Sequence, residues 1–132
     1  MGLLYPLLAL LNLFAGGFLV VATYGFGPET TTHIGFGVSI GVCVMSIGMA
    51  YYAYAVDDDV PLTVLSGLTA ALAAWTIIAT TSFVATTAQW MVLGSGIGHV
   101  VLAAASLLVH EASVQRPTPQ ARAAARRRRA RG

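Results

Sequence analysis

Residues 20–26 read VVATYGF, and residues 77–83, which follow 57 positions later, read IIATTSF. The match continues without a gap, because GFGVSIG at 35–41 aligns with VLGSGIG at 92–98. Each pair belongs to a longer apolar stretch. The chain therefore reads as one helical hairpin written twice, and this pattern decides the predicted fold.

The two copies cover 7–50 and 64–107, and ten of their 44 aligned positions are identical. Connectors and glycines fall at matching positions in both copies. If each copy contributes two membrane spans, both copies enter the membrane in the same direction. We therefore expect a pseudo-twofold axis along the membrane normal.

Composition indicates a lipid environment. The chain is 57% hydrophobic and only 9% charged, whereas soluble domains carry roughly a quarter charged residues. All seven basic residues are arginines, and the first of them is Arg116. A chain without a basic residue for 115 positions has little to keep a water-facing surface dissolved.

Four apolar stretches reach the length of about 20 residues that a helix needs to cross a bilayer. They run over 3–26, 34–55, 61–84 and 90–109. The connectors between them (GPETTTH, VDDDV and ATTAQ) are short and polar, which favours antiparallel neighbours. Residues 1–112 are thus predicted to form an all-α membrane domain, a four-helix up-down-up-down bundle.

The arginines predict the orientation of the chain. Cytoplasmic flanks of membrane spans carry the Lys/Arg excess, so the C-terminal tail, 113–132, is expected in the cytoplasm. With four spans, the N-terminus lies there too. The tail contains little besides Ala, Arg and Pro, and we predict that it is disordered.

Four consecutive arginines in this tail are expected to contact membrane lipids. Arg126, Arg127, Arg128 and Arg129 can attract anionic headgroups at about 1 kcal/mol per residue near the surface. An acidic partner would suit them as well. We do not expect a nucleic-acid partner.

Small residues recur at helical spacing in both copies. Gly37 and Gly41 on span two match Gly94 and Gly98 on span four, and Gly48 and Ala105 extend the two stripes. Gly16 and Gly17 offer a similar face on span one. Small residues four apart let two helix backbones approach closely. These stripes are predicted to pack helices, either within this chain or against another subunit.

The second copy also carries two tryptophans. It runs from Trp75 through TIIATTSF and VATTAQ to Trp90, and continues as MVLGSGIG. This arrangement resembles the SPW-repeat membrane proteins, in which a Trp, a short apolar run, a Ser-Pro turn and a second Trp precede a glycine-bearing helix. The resemblance extends over both hairpins.

The chain departs from that family's pattern at its signature dipeptide. Ala-Thr stands at 79–80 and again at 22–23 in place of Ser-Pro, and Phe18 and His33 occupy the tryptophan positions of the first copy. The resemblance implies a membrane architecture of two hairpins and no particular reaction.

Two polar residues are predicted deep inside the membrane. His99 lies nine residues from Trp90, which is about 13.5 Å along a helix. Asn12 lies nine residues from Leu3 and reaches a similar depth on span one. We therefore predict a hydrogen bond between Asn12 and His99 that locks spans one and four. Ionisable groups at this depth are also candidates for a proton relay or a ligand site.

Other residue types that carry chemistry are scattered. Cys43 is alone and excludes an intrachain disulfide, and we interpret it as a buried apolar residue. Asp57, Asp58 and Asp59 could hold a hard cation, but a solvated turn with a helix-capping aspartate is the preferred interpretation.

The three histidines, His33, His99 and His110, lie at different predicted depths, so no pair suits a haem. The sequence contains no Ser/His/Asp set, phosphate-binding loop or zinc-site spacing. We therefore expect no catalytic residue, cofactor or metal.

These observations favour a non-enzymatic membrane protein, an accessory or assembly subunit that packs against other membrane proteins or against itself. Two alternatives stay open. A small transporter or holin-like pore should bring more polar residues together at mid-depth. A redox-complex subunit should contact quinone or haem.

Overall fold

The structure is a computed structural model that describes residues 3–56, 58–115 and 119–132, apart from the side chains at 113 and 114. Its helices are α1 (Leu4–Gly25), α2 (Pro28–Ala55), α3 (Val60–Ser82), α4 (Ala85–Gln115) and α5 (Pro119–Arg131). The first four are long and apolar enough to cross a membrane, and no strand occurs among the described residues. The prediction of an all-α, four-span membrane protein with up-down-up-down helices is confirmed.

Two helices begin earlier than predicted, so the polar connectors are much shorter than the sequence suggests. α2 begins at Pro28 and α4 at Ala85. Only residues 26–27 therefore link α1 to α2, and only residues 83–84 link α3 to α4. Pro28 lies in the first turn of α2, where the backbone N–H that proline lacks would have no partner within the helix. Polar residues at these ends are thus helical. The length of the apolar stretch therefore underestimates the length of such a helix.

The third helix begins with a side-chain cap. Asp59 Oδ1 accepts a hydrogen bond from the backbone N–H of Leu62 at 3.2 Å, and Pro61 lies in the first turn. A carboxylate is favourable here because it meets free N–H groups at the positive end of the helix dipole. This confirms the capping role predicted for the aspartate run.

The helices do not pack mainly within their own hairpins. α1 packs chiefly against α4, and α2 packs chiefly against α3. α3 and α4 also share a substantial interface, whereas the α1–α2 seam is the weakest of these. We call the end of the bundle with Leu4, Ala55 and Val60 the terminal end. The opposite end, with the links at 26–27 and 83–84, is the hairpin end.

Large apolar side chains point outward and small or polar ones point inward. Phe14, Val21 and Trp90 are 71%, 67% and 61% exposed. Leu19, His99 and Val92 are the largest fully buried side chains, and most other buried residues are Ala, Gly, Ser or Thr. Lipid tails are as apolar as leucine, so helices in a membrane associate through close packing of small residues.

The two halves of the chain bury corresponding positions. In α1 the buried residues include Tyr5, Ala9, Asn12, Gly16, Leu19 and Ala22, and those of α3 are Leu62, Ser66, Thr69, Ala73, Thr76 and Ala79. Each α3 position is the α1 position plus 57. In α2 and α4 the same offset relates Thr31, Gly35, Ser39, Val42 and Ser46 to Ala88, Val92, Gly96, His99 and Ala103.

The tail is helical over Pro119–Arg131, where disorder was the prediction. Ala and Arg, which make up most of this segment, are among the strongest helix formers. Three arginines (Arg128, Arg129 and Arg131) also lie in the last turn, where positive charge is favourable. Every residue of α5 is nevertheless exposed.

A buried threonine ties α2 to α1 across their short link. The Thr31 hydroxyl donates to the carbonyl of Ala22 at 3.1 Å. We expect Thr31→Val to lower the free energy of unfolding in detergent by about 1 kcal/mol, the net value of one such bond. Thr32→Val is the matched control, since the exposed Thr32 hydroxyl bonds only Pro28 in its own helix. Equal losses in both variants would contradict this role of Thr31.

Candidate functional site

The backbones of α1 and α4 make a close contact inside the bundle. A Cβ atom added to Gly16 would lie 2.7 Å from the carbonyl oxygen of Gly96 and 3.0 Å from both His99 Cβ and Val100 N. One added to Gly96 would lie 2.9 Å from the carbonyl oxygen of Gly16. Real Cβ atoms do not approach so closely, so both positions require glycine.

The second helices of the two hairpins, α2 and α4, also meet at a glycine. A Cβ atom on Gly35 of α2 would lie 2.6 Å from Val92 Cγ2 of α4. Positions 35 and 92 differ by 57, the offset of the sequence repeat. Sequence reasoning missed Gly35 and Gly96, although both lie at helical spacing from other small or polar residues that turn inward.

Most of the predicted packing glycines face away from the rest of the chain. Gly37, Gly41, Gly48 and Gly94 are exposed, and nothing lies within 4 Å of a Cβ atom built on any of them. They therefore do not pack helices within this chain. The other predicted option, a partner outside the chain, stays a prediction.

The remaining two members of the predicted stripes lie partly inside. Gly98 meets Leu72 of α3, whose Cδ2 atom would be 2.7 Å from an added Cβ. Ala105 is half-buried. The glycine stripe of α4 is therefore partly used within the bundle, whereas that of α2 is open.

Asn12 and His99 are both buried in adjacent helices, but they do not bond to each other. Asn12 is 6% exposed and His99 is 0% exposed, and α1 lies against α4 as predicted. Among the described residues, neither ring nitrogen of His99 nor the Asn12 Oδ1 atom has a hydrogen-bond partner. The predicted Asn12–His99 hydrogen bond is therefore wrong.

The direction of helical side chains explains this outcome. Side chains lean towards the N-terminus of their own helix, and α1 and α4 are antiparallel. Asn12 consequently leans towards the terminal end and His99 towards the hairpin end. The contact between Gly16 and Gly96 fixes the register of the two helices, so they cannot slide to bring the two side chains together.

Other polar residues are buried in the middle part of the bundle. Ser39 of α2 is 0% exposed, and its hydroxyl has no partner among the described residues. Ser95 of α4 and Thr69 of α3 are 3% and 4% exposed, and Thr69 donates to the carbonyl of Leu65 at 2.9 Å. All four helices thus place a polar group in the middle of the bundle.

A small cavity lies between this level and the terminal end. Its volume is about 10 Å³. Its lining comes from all four spans: Tyr5, Pro6, Ala9, Met49, Leu62, Ser66, Ser106, Leu107 and His110. The rings of Tyr5 and His110 stack with centroids 6.2 Å apart. The interior between His99 and the terminal end therefore contains polar side chains as well as small ones.

A larger groove opens on the outside of the α1–α2 seam. Its volume is about 280 Å³. It is lined by Leu4, Tyr5, Leu8, Met45, Gly48, Met49 and Tyr52. The weak contact between α1 and α2 leaves this groove open near the terminal end.

The remaining candidate ligands do not converge in the described parts of the chain. His33 is exposed, and its Nδ1 donates to the carbonyl of Glu29 at 2.7 Å. The Cys43 thiol donates to the carbonyl of Ala70 at 3.8 Å, which joins α2 to α3. Asp57 lies outside the described residues. Within 3–56, 58–115 and 119–132, no three His, Cys, Asp or Glu side chains are grouped to hold a metal ion.

One cross-helix hydrogen bond comes from a residue that the sequence places in a connector. Gln89 Nε2 donates to the carbonyl of Thr23 at 2.9 Å and so ties α4 to α1 near the hairpin end. The early start of α4 makes this bond possible. A glutamine directly before an apolar stretch is the signal that could have identified it.

The bundle thus offers an open glycine face outside and unpartnered hydrogen-bonding groups inside. Comparison of the chain with protein-family models, curated proteins and solved structures found no match. The resemblance to the SPW-repeat membrane proteins stays a prediction.

Proposed function

We propose that this integral membrane protein is a non-enzymatic accessory or assembly subunit that packs against a second membrane protein, or a second copy of itself, through the glycine face of α2. Gly37, Gly41 and Gly48 form this face. The observation that carries the proposal is the open space beside all three glycines.

The surroundings of these glycines suit a helix better than lipid. Phe36, Ile40 and Ile47 are 37%, 42% and 57% exposed beside the glycine face. They form a ridge along one side of the glycine strip, and Val44, which is 68% exposed, lies in the strip between Gly41 and Gly48. Close approach of a partner backbone to the glycines strengthens van der Waals contact, which drives helix association in membranes.

The chain itself contains an example of what fits such a glycine. At Gly98, the aligned counterpart of Gly41, the side chain of Leu72 fills the space. The residue aligned with Leu72 is Ala15 on α1, which is too short to fill the space at Gly41. A leucine from a partner helix would supply what Ala15 lacks.

The groove of about 280 Å³ continues this face towards the terminal end, because Gly48 belongs to both. Met45 and Met49 line it. Methionine side chains are flexible and polarizable, so they adapt to a partner surface. The face and the groove together offer a continuous strip along the α1–α2 seam.

We expect Gly41→Leu to weaken association in native membranes or mild detergent and to leave the bundle folded. The added side chain fills the strip that a partner backbone would occupy, and its Cβ atom has no neighbour within 4 Å in the chain. Association is measured by cross-linking and by identification of the proteins that co-purify, including a tagged second copy.

Gly67→Leu is the matched control, because Gly67 is also exposed and open but lies on α3. Ala15→Leu provides an independent arm, since it fills the seam from α1 and should also weaken association. A wild-type chain that purifies as a monomer without partners would refute the proposal, as would equal effects of Gly41→Leu and Gly67→Leu.

The proposal includes an orientation. The arginines of α5 support cytoplasmic termini, and the exposed Arg126, Arg127, Arg128 and Arg129 are proposed to contact anionic headgroups there. The terminal end would then face the cytoplasm.

A pseudo-twofold axis along the membrane normal is also proposed. Three observations support it: the buried positions recur at an offset of 57, α1–α4 and α2–α3 are the two largest interfaces, and Gly35 touches its own counterpart, Val92. Tandem hairpins of the SPW-repeat kind would have this symmetry.

A further inference from the structure

Three buried polar side chains in the middle of the bundle have hydrogen-bonding atoms that no described residue satisfies. They are Asn12, Ser39 and His99, which are 6%, 0% and 0% exposed. A polar group buried without a partner costs roughly 1–3 kcal/mol in mutational data. The great majority of buried polar side chains are therefore bonded to protein or to ordered water.

Protein groups cannot easily supply these bonds. The Gly16–Gly96 backbone contact holds α1 and α4 in register, and Asn12 and His99 lean in opposite directions. No charged side chain of α1, α2 or α3 lies at this level among the described residues. A small guest that both donates and accepts hydrogen bonds suits the site.

Polar groups recur along the route from His99 towards the terminal end. Asn12 lies one helical turn beyond Gly16, about 6 Å along the axis. Ser106 lies two turns beyond His99, about 10.5 Å along the axis, so Asn12 falls between them. One water bridging two groups spans about 5.5 Å, two hydrogen bonds of ordinary length. Because the side chains of Asn12 and His99 lean apart, more than one water is needed between them.

The cavity at the terminal end continues this route. Its volume of about 10 Å³ is close to the minimum of about 10–15 Å³ that holds one water. Ser66, Ser106 and His110 contribute polar groups to its lining. A water there therefore has the several polar neighbours that it needs.

The opposite direction is closed by apolar side chains. Leu19, Ala73 and Val92 are each 0% exposed between the polar level and the hairpin end. The Thr76 hydroxyl in this region donates to the carbonyl of Leu72 in its own helix at 2.9 Å. The other buried hydroxyls on this side, Thr23 and Thr31, also donate to backbone carbonyls. The buried polar groups without a partner therefore lie nearer the terminal end.

We infer that the bundle binds internal water between its terminal end and His99, with Asn12 as the bridging residue midway along the path. The ligand class is water, and the site is a one-sided hydrated path with a histidine at its inner end. This site is independent of the proposed packing face, because it lies inside the bundle and not on the outer side of α2.

Water-edited solid-state NMR on the isotopically labelled full chain in lipid bilayers tests this inference. Magnetisation is transferred from water, and the signals that receive it are read. In the wild type, the His99 ring is expected to receive water magnetisation, whereas the Val92 methyl groups are not. Asn12→Leu, which keeps a similar volume, should abolish the transfer to His99.

Thr76→Val is the matched control, since it removes a buried hydroxyl on the closed side and should leave the His99 signal unchanged. The Val92 chemical shifts report whether each variant keeps its fold. A wild-type His99 ring as dry as Val92 would overturn the inference without any variant. Persistence of the signal in a folded Asn12→Leu chain, or its loss in Thr76→Val, would overturn the path through Asn12.

Discussion

Gly16→Ala is expected to destabilise the bundle by about 1–3 kcal/mol, the usual range for overpacking a tight interior. The added methyl group would lie 2.7 Å from the Gly96 carbonyl oxygen and 3.0 Å from Val100 N. Both are backbone atoms of α4, which cannot rotate away as a side chain can. The helices must separate, and the contact between α1 and α4 weakens along its length.

The adjacent glycine provides the control for this change. Nothing lies within 4 Å of a Cβ atom on Gly17, so Gly17→Ala should leave stability unchanged or raise it slightly, because alanine favours the helix. The free energy of unfolding is measured by SDS titration in mixed micelles. Similar losses at positions 16 and 17 would contradict the α1–α4 contact as the cause of the effect.

Exchanging the residues at positions 35 and 92 is the second change with a large expected effect. Gly35→Val adds a Cβ atom that would lie 2.6 Å from Val92 Cγ2, and two methyl groups beyond it. Val92→Gly leaves a cavity and adds a glycine to α4. Each single variant should lose about 1–3 kcal/mol of unfolding free energy.

The double variant is expected to recover most of this loss. If a pseudo-twofold axis passes between positions 35 and 92, exchanging them restores a valine against a glycine at the same height. The double-mutant cycle should then give a coupling of about 0.5–3 kcal/mol. Additive losses would count against the symmetry. Gly48→Val, on the exposed side of α2, is the control and should change little.

The sequence predicts the fold well because length and apolar content determine which segments can cross a bilayer. Helix ends were harder to predict. Thr31 and Gln89 are helical although they are polar, because a helix that leaves the hydrocarbon layer can continue into water. The end of an apolar stretch therefore differs from the end of the helix.

The packing faces were only partly predictable. Spacing identifies glycine stripes, but it does not tell which side of a helix turns inward when lipid surrounds the bundle. Gly37 and Gly41 follow the familiar motif and are open, whereas Gly16 and Gly96 make the close contact. The recurrence of small or polar residues at Ala9, Asn12 and Gly16 was the available signal for the buried side of α1.

The polar interior illustrates a second limit of sequence reasoning. The depth of each residue along its span correctly predicted that Asn12 and His99 lie at neighbouring levels. A hydrogen bond between them also depends on the direction of their side chains. In antiparallel helices those directions diverge. Ser39 was missed because a single serine in an apolar stretch has no distinguishing pattern until its three-dimensional neighbours are known.

The pairing of α1 with α4 has a consequence for how the chain is made. α1 is synthesised before α4, its main partner. The 59 residues between Gly25 and Ala85 take about 3–12 s to translate at 5–20 residues per second. During that interval α1 lies in the membrane without the α4 backbone that contacts Gly16. The bundle can therefore close only after synthesis of its final helix, which leaves a period in which insertion factors or a partner helix have access to α1.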